Sequence, residues 1–166
     1  MGVDTGKVAG RRRLRFNSPD EVLRDAEVLV AAERSGTLKQ IGNWPLGTTL
    51  GHLSAFIDYA YDGFPPQLKP PWIIKVLIKM QKRKFFEGPM PAGVKIPRIK
   101  QGTMGIEPFT TEEGWARCKR SWERLAAGPP KDPHPIFGPL SHAEWKAMHF
   151  RHAELHLSFY EAPARA

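Results

Sequence analysis

The sequence has 166 residues, of which 41% are hydrophobic and 25% charged, a balance typical of one globular domain with a hydrophobic core. Its formal net charge of +8 favours anionic partners. The charge does not distinguish nucleic acid from lipid headgroups or an acidic small molecule. The single cysteine excludes an internal disulfide framework. No apolar run follows the N-terminal arginines, as one would in a secretory signal. No apolar stretch of the sequence is long enough to span a bilayer. A soluble cytoplasmic protein is therefore the expectation.

Four stretches of the sequence have apolar residues at helical spacing and predict four long helices. The first begins after Ser18, an N-cap residue, and Gly36 ends it. The last begins after Ser141, where Glu144 three residues later completes a capping box. We expect one core to be formed by the apolar stripes of these helices, at residues 22–30, 46–59, 115–125 and 145–159.

A further helix is predicted over about residues 72–86, where "WIIKVLIKMQKRKFF" is basic and amphipathic. Proline-rich connectors at 64–71 and 131–140 separate the helices. The predicted fold is therefore all-α, most simply a four-helix bundle with an extra basic helix and long proline-rich connectors. Residues 1–16 are predicted to be a flexible basic tail, and residues 17–162 a single domain.

Three histidines lie close together in the last predicted helix, in "HFRHAELHLSF". His152 and His156 are about 40° apart around the helix axis, and His149 lies within about 60° of both. Three imidazoles on one inward stripe need several polar partners inside an apolar core. A metal ion satisfies two imidazoles at once, and histidines four residues apart on a helix can hold one ion. The predicted chelating pair is His152 and His156, with His149 and His152 as the less favoured alternative.

A metal site in a helical bundle usually takes ligands from more than one helix. His52 is the other histidine on the inward-facing stretch of a long predicted helix. His134 and His142 lie in a connector and at a helix start, where surface histidines are common. His52, His152 and His156 therefore form the predicted three-nitrogen site. Three neutral ligands leave a position for water or substrate, as in catalytic metal sites.

These motifs resemble the DinB/YfiT-like superfamily, and more narrowly its branch called domain of unknown function 1569. The resemblance is carried by "NWPLGTTLGHL", "HPIFGPLSHAEW" and "HFRHAELHL", and it covers most of the chain. It implies a DinB-like four-helix bundle with one metal ligand from the second helix and two, four residues apart, from the last. Those positions are His52, His152 and His156 here. Leu155 and residues 158–160 depart from the branch, where a histidine and a glutamine are expected.

The same resemblance implies zinc or nickel as the bound ion. For the better-understood relatives it also implies transferase or isomerase chemistry that depends on a low-molecular-weight thiol such as bacillithiol, mycothiol or glutathione. The expected partners are thus a small-molecule thiol and an electrophile, with a homodimer left open. The enzyme class follows from the resemblance alone.

Five further residues are candidates for supporting such a site. His149 and Tyr59 are candidates for hydrogen-bonding groups beside the metal ligands, each weighed against a packing role. Lys95, Arg98 and Lys100 are candidates for orienting an anionic thiol, if their segment folds over the open end of the bundle.

The basic segment also supports an alternative function. Residues 69–100 contain nine Lys or Arg and a single acid, Glu87. A non-catalytic module that binds nucleic acid or an anionic membrane surface would use such a segment. A solvated basic face explains the same charges, and nucleic acid is the less favoured partner.

Overall fold

The fold is described by a computed structural model that covers residues 2–68, 71–96, 99 and 101–163, with the backbone alone of Ile74. These residues are mostly helical, which confirms the prediction of an all-α protein. The helices are α1 (Pro19–Arg34), α2 (Leu46–Asp62), α3 (Trp72–Met80), α4 (Lys82–Glu87), α5 (Thr111–Ala127) and α6 (His142–Leu157). A short 3-10 helix spans Pro66–Leu68, and the two-residue strands β1 (Lys39–Gln40) and β2 (Tyr160–Glu161) pair antiparallel.

The first and last of the long helices begin at side-chain caps that the sequence predicts. Ser18 Oγ accepts the backbone N–H of Glu21, and Pro19 occupies the first turn of α1. Ser141 and Glu144 form a reciprocal capping box at the start of α6. Each cap satisfies backbone groups within a few residues, so these helix starts are local properties of the sequence.

Helices α1, α2, α5 and α6 pack around one hydrophobic core. Trp122 of α5 stacks on Phe150 of α6, with ring centroids 5.8 Å apart and planes 3° apart. All four predicted stripes contribute to this core. Its most deeply buried members include Leu29, Leu50, Ile57, Trp122, Leu125, Trp145 and Leu157. In the part of the chain that the structure describes, every helix is too short or too polar to cross a membrane.

The predicted basic helix is divided into two. Gln81, at φ −97° and ψ 15°, separates α3 from α4. The Phe86 ring of α4 packs against the Phe137 ring with centroids 5.2 Å apart. Lys82 Nζ lies 2.6 Å from a carboxylate oxygen of Glu144 on α6. These contacts hold α4 on the last long helix.

The N-terminal segment, predicted to be a flexible tail over residues 1–16, lies in part against the helical core. The Arg12 guanidinium donates to both carboxylate oxygens of Asp25, at 2.7 and 2.8 Å. Arg11 lies over the Phe159 ring, 4.3 Å from its centroid. The sequence predicts a flexible tail for this segment, whereas Arg11 and Arg12 contact groups that are distant in the sequence.

A buried polar network joins the same segment to α6. Glu154 Oε1 accepts the backbone N–H of Phe16 at 2.6 Å, and Arg151 donates to the Phe16 carbonyl. An Arg151 nitrogen also lies 2.8 Å from Glu154 Oε1. Arg151 is 2% exposed and Glu154 is 8% exposed. Because either charge buried alone would lose its hydration without compensation, the two side chains and the Phe16 backbone form one unit.

Candidate metal centre

The three histidines predicted to bind a metal lie together between α2 and α6. His52 is on α2, and His152 and His156 lie one turn apart on α6. One ring nitrogen of each lies within 4.8 Å of the others. The closest pair is His52 Nε2 and His152 Nε2, which are 3.1 Å apart and belong to residues 100 positions apart in the sequence. Helix packing thus produces a cluster of three nitrogen donors, the histidine cluster.

A loop carbonyl fixes the orientation of the His52 ring. His52 Nδ1 lies 2.9 Å from the carbonyl oxygen of Met104, an atom that only accepts hydrogen bonds. Nδ1 therefore carries the proton, and Nε2, on the side of His152, has a free lone pair. This tautomer is the one in which His52 can coordinate a metal through Nε2.

The loop that supplies this carbonyl depends on Gly105. Its φ is +68°, in the left-handed region that glycine adopts without strain. A Cβ at this position would lie 2.8 Å from the Ala55 Cβ and 3.5 Å from the Tyr59 hydroxyl. The first distance is shorter than packed carbon atoms allow. The loop can therefore approach α2 only because this residue has no side chain.

Aromatic rings surround the histidine cluster. Trp44 stacks on His156, with ring centroids 5.3 Å apart and an interplanar angle of 8°. Phe56 lies one turn after His52 on α2, and its ring centroid is 4.8 Å from that of His52 and 5.0 Å from that of His152. These contacts restrict the imidazoles and displace water from their faces.

Burial favours the neutral form of all three imidazoles. Desolvation lowers the pKa of His52 to about 4, and this side chain is 1% exposed. The pKa values of His152 and His156 lie well below the ordinary value, first because of burial and then because neighbouring imidazoles oppose a second charge. Both residues keep partial exposure, so the cluster is not sealed from outside. A neutral imidazole is the form that coordinates a metal.

Different charged groups act on the α2 and α6 members of the cluster. The pKa of Tyr59 is raised, first by burial and then by the Glu107 carboxylate, which also acts on His52. Arg11 contributes to the lowered pKa of His156, after burial and the His52 imidazole. An acidic group thus acts on the α2 ligand and a basic group on an α6 ligand.

His149 lies outside the histidine cluster. Its ring is parallel to that of Trp145, with centroids 6.2 Å apart and planes 12° apart. Burial, and then His134, lowers the pKa of His149 to about 3. Its Nε2 has no hydrogen-bond partner within the described residues. The two α6 histidines that lie beside His52 are therefore His152 and His156, and not the less favoured alternative of His149 and His152.

His134 differs from its prediction as a surface residue. It is 7% exposed, and its Nδ1 accepts the backbone N–H groups of Ile136 and Phe137 at 3.1 and 3.2 Å. Backbone hydrogen bonds between His134 and Gly138 close the turn that contains these residues. Such a turn has no helical or strand periodicity from which its burial could be inferred.

The basic residues predicted to orient a cosubstrate are described only in part. Lys95 is exposed, and its side chain lies beside Gly102, two residues before the Met104 carbonyl. Arg98 and Lys100 lie outside the described residues. Lys95 is thus placed next to the loop that orients His52.

The family of the chain follows from a match over almost its whole length. A family described as "Protein of unknown function (DUF1569)" matches residues 8–162. The chain belongs to this family. No curated protein and no solved structure matches it. All three residues of the histidine cluster fall within the matched span, so the cluster is part of the DUF1569 domain.

Three groups that shape the site of this DUF1569 domain were not predicted from the sequence. Trp44 lies just before α2, and an aromatic residue next to the start of a helix with a candidate ligand is a usable signal. Arg11 has partners at residues 155–159, which are too remote in sequence for a local pattern to indicate them. The Met104 carbonyl has no signal at all, because every residue has a carbonyl group.

Proposed function

We propose that this chain is a metal-dependent enzyme whose divalent ion, zinc or nickel, is held by His52, His152 and His156. One observation supports it above all: ring nitrogens of three neutral imidazoles, from two helices, lie within 4.8 Å of one another. Three histidines are the protein ligands of some catalytic zinc sites.

The protonation of the cluster fits a bound cation. Because His52 Nδ1 faces the Met104 carbonyl, its Nε2 presents a lone pair 3.1 Å from His152 Nε2. A hydrogen bond between these two nitrogens satisfies His52 and His152 and does not include His156. A divalent ion would accept a lone pair from each of the three imidazoles.

We also infer that the four long helices form a DinB-like four-helix bundle. In the DinB/YfiT-like superfamily that the sequence resembles, one ligand comes from the second helix and two, four residues apart, come from the last. His52 lies on the second long helix here, and His152 and His156 lie on the fourth. The order and spacing of the ligands support this assignment.

The reaction that we propose is a transfer or isomerisation that depends on a low-molecular-weight thiol such as bacillithiol, mycothiol or glutathione. A bound divalent ion would supply one thing, the stabilisation of the thiol as thiolate, which is its nucleophilic form. Three protein ligands leave a position open for such a group. Trp44 and Phe56 provide apolar walls that exclude water and favour a small organic electrophile.

Residues around the cluster would orient the reactants. The Tyr59 hydroxyl, whose pKa is raised above its usual value, is protonated at neutral pH and can donate a hydrogen bond. Lys95, beside the loop at Gly102, would attract a carboxylate of an anionic thiol. We assign His149 to packing, because its ring lies on Trp145 and belongs to no ligand group.

Elemental analysis of protein purified without a polyhistidine tag tests the metal centre. We expect zinc or nickel in close to equimolar amount. His52→Ala, His152→Ala and His156→Ala should each abolish it, because two remaining imidazoles hold an ion weakly. His149→Ala is the matched control, since it removes a buried histidine from the same helix and should leave the metal bound. Full metal content in His52→Ala would contradict a site shared between two helices.

Thiol dependence needs a separate titration. Glutathione, mycothiol and bacillithiol should be titrated into metal-loaded and chelator-treated protein, and we expect binding to the loaded form only. Lys95→Gln should weaken this binding at low salt, with a loss that shrinks as salt screens charges over about 10 Å at 0.1 M. Lys131→Gln removes another exposed charge and is the control. Equal binding to both forms would contradict the proposed thiol dependence but not the proposed metal site.

A further inference from the structure

Helix α3 has an exposed apolar face. Five of the seven large hydrophobic residues that are exposed in the described part of the chain lie on this helix, and they are between 49% and 80% exposed. At 100° per residue they occupy an arc of about 140° around the helix axis. They form one continuous surface, the α3 face, made of Trp72, Ile73, Val76, Leu77 and Met80.

Basic residues border the α3 face. Lys75 and Lys79 are exposed on the same helix and lie within about 60° of Trp72 around its axis. The surrounding sequence, residues 69–100, has nine Lys or Arg and a single acid, Glu87. The apolar surface is therefore bordered along one edge by positive charge, and its partner is expected to be both apolar and anionic.

The α3 face is not needed to attach its segment to the rest of the protein. That role belongs to α4, through the packing of Phe86 against Phe137 and the ion pair of Lys82 with Glu144. A nine-residue helix is marginal in water, and an apolar face left in solvent adds nothing to its stability. Covering this face would stabilise the helix.

We propose that the α3 face docks the protein on the surface of an anionic lipid membrane. Apolar residues with a tryptophan on one face and lysines along its border are the pattern of helices that lie in the headgroup region. α3 has nine residues and is about 13.5 Å long, so it lies along a bilayer whose hydrocarbon core is about 30 Å thick. The lysines would contact lipid phosphates while the apolar side chains enter the acyl boundary.

Two other occupants fit the α3 face less well. A second copy of the helix would bring Lys75 and Lys79 of both chains together, and its nine residues offer less than the roughly 1,200 Å² of a stable interface. Nucleic acid would pair with the lysines but would leave the apolar residues uncovered. Of these, Trp72 is 74% and Met80 is 80% exposed.

Co-sedimentation of the full chain with lipid vesicles tests the proposal. We expect binding to vesicles of phosphatidylcholine mixed with phosphatidylglycerol, little binding to phosphatidylcholine alone, and weaker binding as salt increases. The apolar variant Val76→Gln/Leu77→Gln/Met80→Gln should lower the partition coefficient about tenfold or more. The charge variant Lys75→Gln/Lys79→Gln should lower it about fivefold per lysine at low salt.

Two matched controls change the same chemistry elsewhere. Val3→Gln/Val94→Gln removes the other two large exposed apolar residues of the described chain. Arg120→Gln/Lys131→Gln removes two other exposed positive charges. Both should bind vesicles like the unmodified protein. Circular dichroism and thermal unfolding of every variant verify that it is folded, which is expected because the substituted side chains are exposed.

Several outcomes would overturn the proposal. They are absence of binding to phosphatidylglycerol vesicles, unchanged binding in the apolar variant, and equal loss in a control. Tight binding of duplex DNA that the charge variant loses and the apolar variant keeps would assign the segment to a polyanion instead. A concentration-dependent dimer that only the apolar variant abolishes, without vesicle binding, would assign the face to a second copy of the chain.

Discussion

Helices α6 and α3 distribute polar and apolar residues in opposite ways. α6 buries His149, Arg151 and Glu154 among its apolar residues and carries two members of the histidine cluster. α3 exposes Trp72 and Met80 to 74% and 80%. In most globular proteins charged residues lie outside, and a contiguous exposed apolar patch is uncommon. α6 therefore departs from this distribution by burying polar residues, and α3 departs from it by exposing apolar residues.

The two exceptions have different physical requirements. A buried polar group persists when a partner inside the fold satisfies it, as the Phe16 backbone does for Glu154. An exposed apolar face gains stability when a partner from outside covers it. Substitutions in α6 should therefore change stability or metal content, whereas substitutions on the α3 face should change binding alone.

The largest effect is expected from breaking the buried pair on α6. Glu154→Ala leaves the Arg151 guanidinium buried without its carboxylate and should lower the free energy of unfolding by about 3–5 kcal/mol, measured by urea denaturation. Glu112→Ala is the control, because it removes an exposed partner of Arg34 at 2.7 Å and should leave stability almost unchanged. Equal losses in the two variants would show that burial does not distinguish these pairs.

Removal of a metal ligand should have the next largest effect. With the free ion at about 100 times its dissociation constant, binding stabilises the folded state by about 2.7 kcal/mol. A chelator should therefore lower the thermal midpoint of the unmodified protein and leave that of His152→Ala unchanged. His149→Ala should still respond to the chelator. An equal response in the unmodified protein and His152→Ala would exclude the histidine cluster as the binding site.

Mild acid should destabilise the metal-free protein. Burial lowers the pKa of His149 to about 3 and that of His134 to about 4. When the pH falls below about 6.5, the unfolded chain takes up protons that the folded chain does not. The free energy of unfolding should thus fall as pH decreases towards the folded pKa values, by about 1.4 kcal/mol per pH unit for each such histidine.

This acid sensitivity can be assigned by substitution at His149. His149→Leu should flatten the pH dependence, so that its stability relative to the unmodified protein rises between about pH 7.5 and about pH 5. Urea denaturation of chelator-treated samples at several pH values provides the measurement. The same slope in both proteins would mean that His149 takes up its proton in the folded state.

A smaller effect is expected at the loop that orients His52. Gly105→Ala should cost about 1–2 kcal/mol in backbone strain. It should also weaken metal binding about 10- to 100-fold, because the displaced Met104 carbonyl no longer holds the imidazole. Gly36→Ala is the control, since Gly36 has φ +70° and nothing within 4 Å of an added Cβ. A competition titration that finds the same metal affinity in both variants would separate the loop from the site.

The smallest effect on stability is expected at α3. The variant Val76→Gln/Leu77→Gln/Met80→Gln should change the free energy of unfolding by less than about 0.5 kcal/mol, because these side chains are exposed. Urea denaturation in the absence of lipid provides the measurement. A loss above about 2 kcal/mol is what burial of an apolar side chain contributes. It would mean that the α3 face packs inside the protein, and α3 and α6 would then not differ in this way.

The long helices and the residues of the histidine cluster could be predicted because both depend on local spacing. Ser18 and Ser141 cap helices through hydrogen bonds that span three residues. His152 and His156 share a helix face because they are four residues apart. His52 could be predicted because the spacing of the apolar residues in α2 indicates that its part of the helix faces inward.

Long-range contacts and turns could not be predicted in the same way. No glycine or proline marks the break at Gln81, and glutamine is a good helix former. The sequence alone predicts a tail around Arg12, because the pairing of Arg12 with Asp25 depends on how the segment folds back on α1. The hydrogen bond from His52 to Met104 depends on a loop conformation that Gly105 permits but does not dictate.

The order of the three histidines along the chain also affects when the histidine cluster can assemble during synthesis. While the protein is being synthesised, a nascent chain that has completed α1 and α2 contains His52 alone, and one imidazole holds a divalent ion weakly. His152 and His156 emerge only with α6, which also carries the Arg151 and Glu154 side chains that secure the backbone of Phe16. The three imidazoles would therefore become available to an ion together only once α6 has docked against α2.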